Sequence, residues 1–439
     1  MIKQTILPFQ YEITEEKLTA RAGLALVAET AGAFGLPSAF AAELPGPGSN
    51  RGFAAWDFGR AVILLLSGGG RVLDDLRELA GDAALREAIA LALPAPGTVG
   101  DWLRRVGAAK GEAALNRINR RLVAKILRRS KRKNYTLDID ATFIEAHKRE
   151  AQYSYHKEPG YYPMTGWLAE EELSLGYEFR QGNESPSAGN LEFIQFCERQ
   201  LPAGKQIGLV RSDSAAYNSA VIGWCQQTAK RFVVAADKDA AVVAAIRALP
   251  EANWRGLPAD LGAGQYAETV HAFNNGKAAA FRLILLRRPY QRSLIQDGAE
   301  QTVESERFFA YATNLSGEAV EIVRTYNKRG QCENLLKELK LGYGMEYLPT
   351  GDFAANAVWF GLGVLAYNLG QALKTLGLGG QWRQRQVVTL RWRIYHTPGK
   401  LIRHAGRLIL KIAGDVKKLE LFEQVRRKLY VEWSETAAT

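Results

Sequence analysis

The chain is poor in the residues from which soft metal sites and covalent frameworks are built. Its 439 residues include three cysteines, Cys197, Cys225 and Cys332, far apart and without a CxxC pair. That spacing excludes a disulfide framework and a thiolate zinc site, and it suits a reducing compartment, the cytoplasm. The five histidines (His147, His156, His271, His396 and His404) form no ligand spacing such as HxxxH. Internal repeats and low-complexity tracts are absent. The opening MIKQTILPFQYEITEE has no long apolar core followed by a cleavage site, so no export signal is expected. One long uncharged run exists, the 21 residues Phe353–Leu373. It has membrane-spanning length. Asn356, Asn368, Gln371 and the glycines 361, 363 and 370 nevertheless favour a buried helix, and no membrane partner is expected.

Acidic residues are also in deficit. There are 57 Lys and Arg against 46 Asp and Glu, a net charge of +11 and a pI near 9.4. Such a balance points to a polyanionic partner. The excess is concentrated. Between Trp102 and Lys133 there are twelve basic residues and a single acid, Glu112. Leu115, Ile118, Leu122 and Ile126 repeat at helical spacing in this segment. Arg117, Arg120, Arg121, Arg128 and Arg129 are left for exposed positions, with Arg104 and Arg105 on the preceding helix, for which Thr98 is the expected cap. Like charges at this density repel unless neutralised, so contact with a DNA backbone is expected.

Organisation follows from changes in period. Residues 1–130 read as helical and basic, punctuated at PGPGSNRG (45–52), SGGGR (67–71) and LPAPGTVGDW (93–102). In YTLDID (135–140), Tyr135, Leu137 and Ile139 alternate with Thr136, Asp138 and Asp140, so both aspartates share one strand face. Strands are expected around 161–169 and 173–180, then helix 189–199, strand 206–211, helix 219–230 and strand 231–236. Three meandering strands followed by crossovers make an α/β sheet of mixed direction over 131–239. A β-rich stretch at 240–320 has an Asn-Gly turn at FNNGK (273–277), and 321–439 is helical with a basic tail.

Three acids stand out by position. Asp140 ends the first strand, Asp213 lies just past the strand QIGLVR, and strand ends face crevices in α/β sheets. Glu333 lies on the helix YNKRGQCENLLKELK. Taking Tyr326 as zero on an ideal helix, Arg329 falls at about −60°, Glu333 at about −20° and Lys340 at about −40°. One reading of that stripe is a solvated face with i,i+4 pairing. The other is a metal-binding acid flanked by cations that grip phosphate oxygens.

The spacing Tyr326, two residues, Arg329, three residues, Glu333, six residues, Lys340 resembles the Y-(2)-R-(3)-E-(6)-K signature of bacterial insertion-sequence DDE transposases. LDIDAT, with Asp140, and RSDS, with Asp213, stand upstream in matching order. The resemblance implies a ribonuclease-H-like catalytic core with a mixed sheet, interrupted by a β-rich insertion at 240–320 and preceded by a helical region that binds element ends. It implies Asp140, Asp213 and Glu333 as a catalytic triad holding Mg²⁺ or Mn²⁺, two ions in all, with Tyr326, Arg329 and Lys340 contacting DNA phosphates. Asp138 is the alternative to Asp140 as ligand. It further implies double-stranded DNA ends and target DNA as partners, and a homodimer in the active complex. Trp254, in the insertion, is the candidate for stacking an extruded base; its other reading is cover for a small core. Tyr153, Tyr155, Tyr161 and Tyr162, around His156 and Lys157, form a loop that could touch DNA. The rival functions are a catalytically inactive, transposase-derived DNA-binding protein and a glycosidase with paired carboxylates.

Overall fold

The computed structural model describes residues 6–7, 9, 11–47, 52–296 and 299–437. Residues 48–51 of the PGPGSNRG punctuation lie outside the described residues.

Five helices make up most of the N-terminal region: α1 (Leu24–Ala33), α2 (Leu36–Glu43), α3 (Ala55–Gly68), α4 (Pro96–Ala108) and α5 (Gly111–Leu127). Helix α4 starts earlier than its expected Thr98 cap. Pro96 is its first residue and Ala95 its N-cap, because the proline ring presets a helical φ and has no N–H to leave unpaired.

The central sheet has nine strands among the described residues. In chain order they are β1 (Asn134–Ala141), β2 (Met164–Leu168), β3 (Leu173–Glu178), β4 (Gln206–Ser212), β5 (Arg231–Ala235), β6 (Arg255–Gly256), β7 (Gln265–His271), β8 (Phe281–Gln296) and β9 (Ala299–Thr313). Their spatial order is β6-β7-β8-β9-β5-β4-β1-β2-β3. Strands β1, β2 and β3 form an antiparallel meander, while β4 pairs parallel to both β1 and β5. Helices α6 (Asn190–Gln200) and α7 (Ser219–Gln227) supply the crossovers that parallel pairing requires. This is the expected mixed α/β sheet with the ribonuclease-H-like strand order. The strands of 240–320 continue that sheet, since β9 pairs antiparallel with β5 through Tyr311–Ala235, Ala312–Val234 and Thr313–Val233. The Asn-Gly turn lies within a longer connection, 272–280, with Gly276 at φ +66°.

After β9 come α8 (Ala319–Asn327), α9 (Gly330–Lys337), α10 (Phe353–Ala372) and the C-terminal α11 (Val416–Ala437). The uncharged run forms α10, buried from Ala355 to Ala372 against α3, α4, α5 and β3. Its glycines permit close approach: a Cβ on Gly361 would lie 2.1 Å from the Tyr177 hydroxyl oxygen, and one on Gly363 2.0 Å from Met345 Sδ. Its carboxamides have a task too. Strand β3 is a sheet edge with unpaired backbone groups. The Ser174 N–H donates to Asn368 Oδ1 at 3.0 Å, and Asn368 Nδ2 donates to the Ser174 carbonyl at 2.8 Å and to Asn119 Oδ1 at 2.7 Å. Asn119 and Asn116 on α5 donate to the carbonyls of Ser174 and Tyr177. The edge is thus sealed by side chains rather than by another strand.

Glu112 continues this seal by accepting the Phe179 N–H at 2.8 Å. Burial pushes its carboxyl up to about 7, against the opposing pull of that N–H. A folded-state value above the unfolded one means the folded chain binds the proton more tightly. The stability that Glu112 contributes is therefore fully present below about pH 4.5 and is lost as pH rises towards 7. Glu112→Gln keeps an acceptor for Phe179 without the titration. In urea denaturation the variant is expected to match the native chain at pH 4.5 and to be the more stable of the two at pH 8.

Candidate active site

The parallel pairing of β1 with β4 aligns Asp138 with Arg211. Two residues further along each strand lie Asp140, near the end of β1, and Asp213, just past Ser212 at the end of β4. Asp213 caps a short turn by accepting the Ala215 N–H at 3.1 Å. Helix α9 packs on β1 and carries Glu333 in its first turn. Acids 140, 213 and 333 therefore meet at one end of the sheet.

Arg329 joins them. Its Nη2 lies 3.2 Å from Asp140 Oδ1 and 3.7 Å from Asp213 Oδ2, and its Nη1 lies 3.0 Å from Glu333 Oε1. The arginine is only 6% exposed. Burial works to lower its pKa, but the Asp140 and Asp213 carboxylates outweigh it and hold the guanidinium above its ordinary value. Asp140 is pushed up to about 6, first by burial and then by Asp213 and Glu333, with Arg329 pulling the other way. Asp140 and Asp213 line a cavity of about 370 Å³ together with Lys340 and the rings of Phe143, Tyr155, His156 and Tyr162.

Asp138, on the same strand face, has a different setting. Its two oxygens accept Arg211 Nε and Nη2, both at 2.7 Å, in a buried bidentate pair. Arg211 also donates through Nη1 to the Thr325 carbonyl at 2.8 Å. Asp138 is committed to this pair, whereas Asp140 faces the cavity.

The other residues of the stripe do not share one ideal helix. The helix is interrupted at Lys328 and Arg329 between α8 and α9, and beyond Lys337 it widens into a π turn, Glu338–Gly342. Lys340 still reaches the cavity, donating to the Phe143 carbonyl at 2.7 Å, and burial lowers its pKa. Tyr326 packs against Tyr311 with ring centroids 4.5 Å apart, and burial raises its hydroxyl to about 12.

Part of the basic segment is compensated within the chain. Arg117 and Arg121 both pair with Glu43 at 2.5 Å, and Arg128 and Arg129 both pair with Glu432 and Glu435. Arg104 lies 2.9 Å from both Asp101 and Asp352. Arg105 and Arg120 are exposed, without an ion pair among the described residues. Trp254 is buried against Phe308, with the Arg287 guanidinium 4.7 Å above its ring. A base could stack there only after Arg287 moved.

Arg211 escaped the sequence reading. It had a visible cue, standing two residues before Asp213 as Asp138 stands two before Asp140. Of the aromatic loop, Tyr155, His156 and Tyr162 line the cavity, Tyr153 is exposed elsewhere, and Tyr161 is buried. At the surface Glu145, His147 and Glu158 bring ligand atoms within 4.8 Å of one another, a cluster separate from the three acids.

The family described as transposase DDE domain group 1 matches residues 8–431. No curated protein matches the chain. Among solved structures it is similar to the piggyBac transposase in its cryo-EM synaptic complex with hairpin DNA. The TM-score is 0.46 at 9% identity, covering 84% of this chain and 79% of that one.

Removing one member of the Asp138–Arg211 pair leaves an uncompensated buried charge, which costs about 3–5 kcal/mol. Arg211→Met is expected to lower the unfolding free energy in urea by that order. Adding Asp138→Asn should recover a substantial part of it, the non-additivity expected of partners in contact.

Proposed function

The chain belongs to the DDE transposases, group 1, and from that premise we propose that it is an active, metal-dependent enzyme that cuts and joins the ends of an insertion sequence. The observation that carries this reading is the convergence of Asp140, Asp213 and Glu333 on one guanidinium at the end of the central sheet. These acids offer carboxylate oxygens alone, the donor set that suits Mg²⁺ or Mn²⁺. A cation already lies among them, so the site fits positive charge. With two such ions bound, activation of a water or 3′-hydroxyl and stabilisation of the leaving 3′-oxygen become available.

The chain's own residues do the rest. Asp140 and Asp213 are held at adjacent strand ends, so the spacing of their carboxylates is set by sheet pairing. The Asp138–Arg211 pair fixes that register from beneath and ties β4 to α8 through Thr325. Lys340 presents a cation at the cavity wall, where it would hold a phosphate oxygen, and Tyr326 and Arg329 complete the phosphate contacts. Arg105 and Arg120, exposed and unpaired, supply backbone affinity on the N-terminal helices, and Arg104, Arg117, Arg121, Arg128 and Arg129 add to it by exchanging carboxylates for phosphates. Inverted element ends map onto a two-fold symmetric assembly, hence a homodimer. The buried free thiols Cys197, Cys225 and Cys332 are compatible with a reducing cytoplasm. The second reading, an inactive descendant that only binds DNA, would leave no pressure to keep three acids and their cation together.

Two outcomes are expected. With DNA carrying the cognate ends and Mg²⁺, the native chain cleaves while Asp213→Asn and Glu333→Gln fall to background; full activity in both variants would defeat the triad. In binding titrations across salt concentration, Arg105→Ala and Arg120→Ala should each reduce the slope of log affinity against log salt by about 1. Arg117→Ala, whose charge Glu43 already offsets, should change it less.

A further inference from the structure

Arg329 and Arg211 are both buried arginines bound to carboxylates, yet they are held differently. Arg211 is anchored by the bidentate Asp138 contact and by a neutral acceptor, the Thr325 carbonyl. Arg329 has no such anchor. Its polar partners among the described residues are Asp140, Asp213 and Glu333, and its Nε has no hydrogen-bond partner although it is buried. Everything that holds this guanidinium is therefore a candidate metal ligand.

The two kinds of cation compete for the same carboxylate oxygens in this arrangement. Mg²⁺ binds carboxylate oxygen at about 2 Å. Arg329 Nη2 is 3.2 Å from Asp140 Oδ1. An ion bound to that oxygen would stand about 5 Å from a full positive charge that is itself buried, and that repulsion weakens its binding. Without any cation, the buried Asp140 would face Asp213 and Glu333 with nothing to offset their repulsion.

We propose that Arg329 is the resident counter-ion of the metal-free site: it holds Asp140, Asp213 and Glu333 together and gives way when divalent ions bind. The inference rests on the reading of those three acids as the metal ligands. Its consequence is an ordered exchange. The carboxylates pass from guanidinium to metal, and the guanidinium, with no other anchor, is released for a DNA phosphate. Arg329 is thus a positioning residue for the metal ligands before it is a DNA contact, and its presence weakens metal binding in the absence of DNA.

The test is titration of Mn²⁺ into the full chain without DNA, following free Mn²⁺ by electron paramagnetic resonance. Arg329→Met removes the competing charge and is expected to bind Mn²⁺ at least about tenfold more tightly than the native chain. Arg329→Lys keeps the charge on a single nitrogen that cannot reach all three carboxylates at once, so its affinity is expected to lie between the two. Equal or weaker binding by folded Arg329→Met overturns the proposal. If that variant does not fold, the lysine variant decides, and affinity no tighter than native overturns it as well. Asp213→Asn separates the two levels. Loss of Mn²⁺ affinity there with no gain in Arg329→Met removes only the counter-ion role. Unchanged affinity in Asp213→Asn removes the triad reading on which it rests.

Discussion

Mutual repulsion among three carboxylates that meet around one buried guanidinium is the constraint around which the rest of this chain is arranged. Asp140, Asp213 and Glu333 come from positions far apart in the sequence, and burial already favours the neutral form of Asp140, raised to about 6. The fold answers with two guanidiniums in two layers. Arg211 neutralises Asp138 one strand pleat deeper, so that the charge on the face beneath the site is already paired. Arg329 then compensates the three acids at the surface of that layer. Had Asp138 been left without Arg211, a further negative charge would face the same cluster. The lower pair is therefore a condition for the upper one.

Parallel pairing of β1 and β4 makes this layering possible, because it brings Asp138 opposite Arg211 and both strand ends to the same side. Parallel strands need their faces covered. Helices α7 and α8 pack on β5 and α9 packs on β1, while α10 packs on β3, where Asn368 and the carboxamides of α5 close the edge without another strand. The sheet that carries the carboxylates is thus also held by hydrogen bonds made at its β3 edge. Glu112 belongs to the same seal, and so a titration remote from the cavity bears on the stability of the platform beneath it.

Much of this was legible locally. The alternation in YTLDID and the strand–helix–strand succession to residue 236 are short-range signals, and the mixed α/β sheet follows from them. The positions of Asp140, Asp213 and Glu333 at strand ends and on a helix could be read in the same way, and the structure places them around one arginine. What stayed hidden depended on partners distant in sequence. Asp138 and Arg211 are 73 residues apart, and only the parallel register makes them opposite. Arg117 and Glu43 are 74 apart, so a run that reads as unopposed positive charge has its acids elsewhere in the chain. The wide turn at Glu338–Gly342 breaks the ideal helical angles by which the Tyr326 to Lys340 stripe was drawn. Lys340 reaches the cavity through that irregular turn, a route the angles alone could not have specified.

The paired arginines of α4 and α5 bear on how a basic protein meets DNA. A pair between exposed groups, such as Arg104 with Asp101, contributes on the order of 0–1 kcal/mol, so trading that carboxylate for a phosphate costs little. Glu43 and Glu432, by contrast, are largely buried and give up their arginines less readily. Under the proposed function, Glu43, Glu432 and Glu435 hold arginines in place before DNA arrives and compete with phosphate afterwards. Arg329 follows the same rule in a buried setting, where exchange is dearer and needs the metal ions to take over its carboxylates. The same chemistry, a guanidinium passing from carboxylate to phosphate, would then occur without an entry requirement at the surface and with one at the catalytic centre. Non-specific association with DNA would stay fast and salt-sensitive, while engagement of the phosphate at the cut would wait for a loaded site.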